Sequence, residues 1–161
     1  MFLVIHSGSG RKLSEGIYNE RVAECRAAAE AMGVASLRDA EAAQIADIDD
    51  KLVRQRAQHV LSENDRVNAA AQALASADVV TLGALITASH QSLATDYDVS
   101  SAPLDMLVKT TLSAGALGSR LTGAGFGGCI VCLAAADLAD DIVAAAQEAV
   151  PGSWLLDSIA C

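Results

Sequence analysis

The stretch Gly118-Ser119-Arg120-Leu121-Thr122-Gly123-Ala124-Gly125-Phe126-Gly127-Gly128-Cys129 places four glycines within six residues, beside a threonine and an arginine. Glycine serves where backbone must turn through positive φ or pass close to another backbone or a ligand. Packed this closely, successive N–H groups can point into one concavity, and that suits an anion such as phosphate. Gly123, Gly125 and Gly128 also satisfy G-x-G-x-x-G. The dinucleotide reading of that pattern needs a helix directly after the loop. Here the loop runs into Cys129-Ile130-Val131-Cys132-Leu133, an apolar, largely β-branched run that reads as a buried strand. A P-loop is excluded, because no G-x-x-x-x-G-K-[ST] occurs in the chain. A glycine-rich β-hairpin with no ligand is the plain alternative to a phosphate loop.

Other residues carry chemistry with an ordinary reading beside it. Thr122 could add a hydroxyl to an anion site or bond its own turn. Arg11, with Lys12, follows the turn Gly8-Ser9-Gly10. A guanidinium there could fork onto phosphate oxygens, or the pair could be solvated. His59 and Glu63 lie four apart on a predicted helix, as an acid–base pair or, more simply, as a hydrogen bond or ion pair on the helix surface. His90 has no second histidine or cysteine near it in sequence, which argues against metal ligation. Cys129 and Cys132 form C-x-x-C inside a strand. Residues three apart in a strand point to opposite faces, so two buried structural thiols are the better reading. No second pair completes a zinc site.

These residues need elements to hold them. Phe2 to Ser7 reads as a strand. Ile17, Val22, Cys25, Ala29 and Met32 recur at helical spacing, with Gly33 placed to end that helix. Ser36 to Asp39 starts a short helix. A long helix spans about Lys51 to Ser76, with Val53, Ala57, Val60, Leu61, Val67, Ala71 and Leu74 as its apolar stripe. Asp78 caps the next helix, which carries Val79, Leu82, Ile86 and Leu93. Ser100-Ser101-Ala102-Pro103 starts another, carrying Leu104, Leu107, Val108, Thr111 and Leu112. After the loop and its strand come a helix from about Leu138 to Val150 and a last strand from Trp154 to Ile159. Helices set apart from a small, mostly antiparallel sheet make an α+β fold.

Composition sets limits. A chain of 161 residues fits one domain spanning residues 1–161, with no linker or repeat in it. Its hydrophobic share of 52% with aromatics at 3% describes a core of Ala, Leu, Val and Ile. No apolar run is long enough to span a bilayer, and Met1 to His6 is too short for a signal peptide. The expectation is a cytoplasmic protein without a membrane partner. A net charge of -9 argues against nucleic acid as a partner. It also leaves any phosphate site to local dipoles and a few cations.

The stretch Gly118 to Cys129 resembles the third motif of the GHMP sugar kinases in its galactokinase form, Gly-Ala-Arg-Met-Thr-Gly-Ala-Gly-Phe-Gly-Gly-Cys. The segments before it follow the same family in order. These are His90-Gln91-Ser92-Leu93, Asp96-Tyr97-Asp98-Val99-Ser100 and Pro103-Leu104-Asp105. Arg56-Ala57-Gln58-His59-Val60, with Glu63-Asn64 and Arg66-Val67, is similar to the family's central helix. Tyr18-Asn19-Glu20-Arg21, with Glu24-Cys25, is similar to its early helix. The resemblance implies a ferredoxin-like C-terminal domain. The implied reaction is transfer of the γ-phosphoryl of ATP, with Mg²⁺, to the C1 hydroxyl of galactose.

By the same resemblance, Gly123, Ala124, Gly125, Phe126, Gly127 and Gly128, with Thr122 and Arg11, support the phosphate site. Tyr18 lies against the sugar, where the alternative is an amphipathic core tyrosine. The chain departs from the family at Gly10-Arg11-Lys12, where Val-Arg-His is common, and at Ala94-Thr95, where Arg-Asp is. The family's sugar-binding string Gly-Arg-x-Asn-x-Ile-Gly-Glu-His and its nucleotide string Gly-x-Gly-Leu-Ser-Ser-Ser do not occur. With them the catalytic aspartate is missing, so no residue here is expected to be catalytic. The expectation is a C-terminal half, inactive when isolated. Its implied partners are galactose, ATP, a separately encoded N-terminal half or a second copy in a homodimer. The alternative is a stand-alone sugar-, nucleotide- or protein-binding module.

Overall fold

Alternation of side chains along four short apolar runs builds the sheet. In the computed structural model, which describes residues 1–10 and 14–160, the strands are β1 (Phe2–His6), β2 (Gly118–Thr122), β3 (Cys129–Leu133) and β4 (Trp154–Ile159). Their order is β2-β3-β1-β4 and every pairing is antiparallel. Five α-helices complete the described chain: α1 (Ser14–Ala31), α2 (Lys51–Ala75), α3 (Val79–Thr95), α4 (Ala102–Ser113) and α5 (Ala139–Ala149). Short 3₁₀ turns occupy Leu37–Asp39, Ala42–Asp47 and Ala136–Leu138. Strand, helices, two strands, helix, strand in this spatial order is the ferredoxin-like arrangement.

One sheet face points Leu3, Ile5, Leu121, Ile130 and Cys132 at α4 and α5. There they meet Leu104, Leu107, Val108, Ile142 and Ala146 in the main core. A second cluster joins α1, α2 and the 3₁₀ turns through Ala28, Met32, Leu37, Ile45, Ile48, Ala57 and Leu61. The Asp78 cap expected from sequence is present, and Asp50 caps α2. Asp78 accepts from the Thr81 amide, and Asp50 accepts from the amides of Leu52 and Val53.

The stripe expected along α2 holds only in its first half. Ala57 and Leu61 are buried, but Val67 is 66% exposed and Leu74 60%. Arg56 and His59 take inward positions instead, because they find polar partners on α1 and α3. Beyond Glu63 the helix meets its neighbours through the small residues Ala70 and Ala73. At the other edge α3 lies directly on β2. A Cβ on Gly83 would stand 2.2 Å from the Leu117 carbonyl oxygen, and one on Gly118 would stand 2.2 Å from that of Gly83. Two glycines thus let a helix backbone rest on a strand backbone.

Candidate functional site

The glycine stretch is the loop of the β2–β3 hairpin, with Thr122 paired to Cys129 at its base. A strand follows it, so the dinucleotide geometry is absent. Gly123, Gly125, Gly127 and Gly128 have φ of 81°, 83°, 131° and 83°. Phe126 between them has φ 59°, a left-handed value that an aromatic residue rarely adopts. Its ring is half-buried against the main core, which holds the residue there. Gly123 and Ala124 form the exposed tip, while Gly125, Gly127 and Gly128 are buried.

Neighbouring backbone fixes the loop on two sides. The Phe126 amide donates to the Val99 carbonyl at 2.8 Å, and the Gly128 amide donates to Ser9 at 3.2 Å. The Ser7 amide returns a bond to the Gly128 carbonyl at 2.8 Å. Gly125 is required for this approach, since a Cβ there would lie 2.1 Å from the Val99 oxygen. The amides of Phe126 and Gly128 are therefore committed within the protein. The tip, free of bulky side chains, is the part that can meet a phosphate or another backbone.

Thr122 is half-buried and shares one rung of the sheet with Cys129, His6 and Trp154. His6 stacks on Trp154 at 4.1 Å, and its Nδ1 accepts from the Gly8 amide. Arg11 and Lys12 lie outside the described residues. Tyr18 is 56% exposed on α1. The structure therefore does not make it a core tyrosine.

His59 and Glu63 both face α3 but bond different partners. His59 Nδ1 lies 2.9 Å from Ser92 Oγ, and the Ser92 hydroxyl donates to Asp96 at 2.8 Å. The His59 ring also stacks on Tyr97 at 4.4 Å. Burial pushes the His59 imidazole down to about 4, so it is neutral at pH 7. Glu63 accepts from Ser89 at 2.6 Å and pairs with Arg66. Burial opposes its charge, but the bonds from Ser89 and Arg66 together outweigh it and hold its carboxyl below the usual range. Ser89 also accepts from Arg120 at 2.8 Å. These groups are structural partners across a helix seam. His90 likewise serves the fold, its Nδ1 accepting from the Leu121 amide at 3.3 Å and its Nε2 lying 3.4 Å from Asp105.

Cys132 is fully buried in the core and Cys129 half-buried on the opposite face, both as thiols. Burial pushes the Cys132 thiol up to about 11, which makes it unreactive at neutral pH. Among the described residues no cluster of three or more His, Cys, Asp or Glu could hold a metal. No helix among them is long and apolar enough to cross a membrane.

Sequence reasoning missed an ion network behind the loop. Arg21 on α1 and Arg56 on α2 are only 7% and 3% exposed. Both bind Glu24, and both approach Asp98 in the turn after α3. The signal was present in the charged residues of the matched helical segments. Nothing in their spacing showed that they point inward.

Residues 70–152 match the family model for the GHMP kinases C terminal. The galactokinase of Mycobacterium bovis is 39% identical over 152 residues, covering 92% of this chain and 42% of the relative. That of a Roseiflexus species is 46% identical over 140 residues, covering 81% and 36%. The structure of Lactococcus lactis galactokinase complexed with galactose superposes with a TM-score of 0.89 at 32% identity, covering 96% of this chain and 44% of that one. The chain thus spans about two fifths of the length of the galactokinases it matches.

Proposed function

Because this chain belongs to the GHMP kinases through their C-terminal domain, we propose that it is the C-terminal part of a galactokinase. The reaction is transfer of the γ-phosphoryl of ATP to the C1 hydroxyl of galactose. The observation that carries this reading is 39% identity to a galactokinase across 92% of the chain, far beyond the glycine loop alone.

Phosphoryl transfer depends on positioning and charge neutralisation more than on covalent chemistry. The loop Gly123 to Gly128 presents a tip without bulky side chains beside Thr122. A nucleotide-binding segment of the N-terminal half can pack there and complete the phosphate site. Arg11 would add a cation. Tyr18, exposed on α1, offers a ring and a hydroxyl to the sugar. Mg²⁺ accompanies the nucleotide in this family, and none of this chain's described residues is assigned to it. The catalytic base comes from the N-terminal half, so the chain alone is inactive. The setting is cytoplasmic.

The outer strand β4 supports a covering partner. Trp154, Leu155, Leu156 and Ile159 are all exposed on it, and an apolar edge strand invites association. An N-terminal half is the partner this reading favours over a second copy. The test incubates the pure chain with ATP, Mg²⁺ and galactose. No galactose 1-phosphate above a protein-free control is the expected result. A yield that grows with chain concentration would contradict the assignment of the base to another half.

A further inference from the structure

The ion network around Arg21 and Arg56 ends at Asp98, one residue from Val99, the anchor of the glycine loop. Arg21 Nη1 reaches both oxygens of Glu24 at 2.9 Å. Its Nη2 donates to the Asp98 carboxylate at 3.1 Å and to the Asp98 carbonyl at 3.3 Å. Arg56 Nε donates to Glu24 at 2.8 Å, and its Nη2 stands 3.6 Å from the same Asp98 oxygen. Its Nη1 donates to the Asp96 carbonyl. Two cations from two helices thus grip the backbone and side chain of one turn.

Stability alone does not account for this arrangement. Arg21, Arg56 and Glu24 are largely buried while the Asp98 carboxylate stays exposed, so the two guanidinium groups give up hydration that their pairing only partly restores. Here the pairing is also incomplete, since Arg21 Nε is buried without a partner among the described residues. What the network does fix is geometry. Asp98 stands at φ 56°, the left-handed region, and the next residue, Val99, is buried. The Val99 carbonyl receives the Phe126 amide and lies where a side chain on Gly125 would be.

We propose that Arg21 and Arg56, through Glu24 and Asp98, form a clamp that sets the Val99 carbonyl and thereby holds Phe126 and Gly125 in their left-handed conformation. They are positioning residues for the glycine loop. The clamp joins three segments distant in sequence: α1, α2 and the turn after α3. A shift between those helices therefore reaches the loop at the Val99 carbonyl. What the loop does for phosphate rests on the function proposed above, but the clamp does not.

The loop carries its own control. The Phe126 amide depends on Val99, whereas the Gly128 amide depends on Ser9. Hydrogen exchange of both amides is measured by NMR on the chain without nucleotide, in Arg56→Met and in Asp98→Gly. Asp98 has a side chain 70% exposed, and glycine keeps the positive φ, so Asp98→Gly tests the clamp even where Arg56→Met fails to fold. The expected result is exchange at Phe126 faster by about tenfold or more, with Gly128 changed less than about twofold. Equal acceleration at both amides, or none at Phe126, overturns the proposal. Failure of the chain, joined to an N-terminal half, to use ATP would overturn the phosphate reading and leave this result untouched.

Discussion

Both sides of the molecule have an apolar cluster, but only the α1–α2–α3 side adds a network of charged and polar side chains to it. Between the sheet and α4–α5 the contacts are apolar, with Leu3, Ile5, Leu104, Leu107, Ile130 and Ile142 at 1% exposure or less. Along the α1–α2–α3 side, buried or half-buried Arg21, Arg56, His59, Glu63, Ser89 and Ser92 bond to one another or to the turn after α3. Apolar packing is strong and non-directional. Hydrogen bonds and ion pairs add less net stability, but they accept only one geometry. The larger apolar cluster lies between the sheet and α4–α5. The polar side sets where the helices and the loop anchor sit.

That contrast can be broken in steps. The largest effect belongs to the apolar side. Leu107→Ala removes a fully buried side chain and should lower unfolding free energy by about 3–4 kcal/mol in urea titration. A loss below about 1 kcal/mol would mean that the core is looser than its packing indicates.

The next effect belongs to the polar side and is driven by pH. His59 is lowered from 6.5 to about 4 in the folded state, so the unfolded chain binds more protons between those values. Stability contributed by the neutral ring is complete above about pH 6.5 and falls as pH drops towards 4. The size is on the order of 2 kcal/mol once solvent screening is allowed for. His90 is also lowered, first by burial, and acts in the same direction. Glu63, held below the usual carboxyl range, adds a further loss at lower pH as it takes up a proton. Urea midpoints measured from pH 7 to pH 4 should decline, and the decline should be shallower in His59→Gln. A flat profile in the unaltered chain would remove the buried neutral histidine from the account.

The smallest effect sharpens the boundary between the two sides. Val67 fits the helical stripe of α2 by spacing but is exposed. Val67→Ser should change stability by less than about 0.5 kcal/mol. A loss above 1 kcal/mol would mean that Val67 packs within the domain, against its 66% exposure.

The same division decides what could be read from sequence. The four strands and helices α1 and α3 to α5 were legible from the period of their apolar residues and from a few start signals. Asp78, Pro103 and the Cys129–Leu133 run each name their element. The first half of α2 was legible for the same reason. The second half was not, because periodicity cannot say where a helix leaves the core. Val67 and Leu74 keep the spacing past the point where the helix packs through the small residues Ala70 and Ala73. The glycine loop was recognisable as a special backbone. Left-handed Phe126 was not, because its conformation is imposed by Val99 and by burial of its ring. Arg21 and Arg56 escaped notice for a related reason. Charged residues on a helix are expected to face water, and only the meeting of three segments turns these two inward.

The most direct test joins residues 1–161 to the N-terminal portion of the Mycobacterium bovis galactokinase, in place of the part this chain matches, and assays galactose-dependent formation of ADP. The account predicts galactose 1-phosphate from the joined protein, and a fall in that rate with Gly125→Ala, which drives a methyl group into the Val99 carbonyl. A joined protein that is folded by circular dichroism and melts cooperatively, yet phosphorylates no galactose, would contradict it.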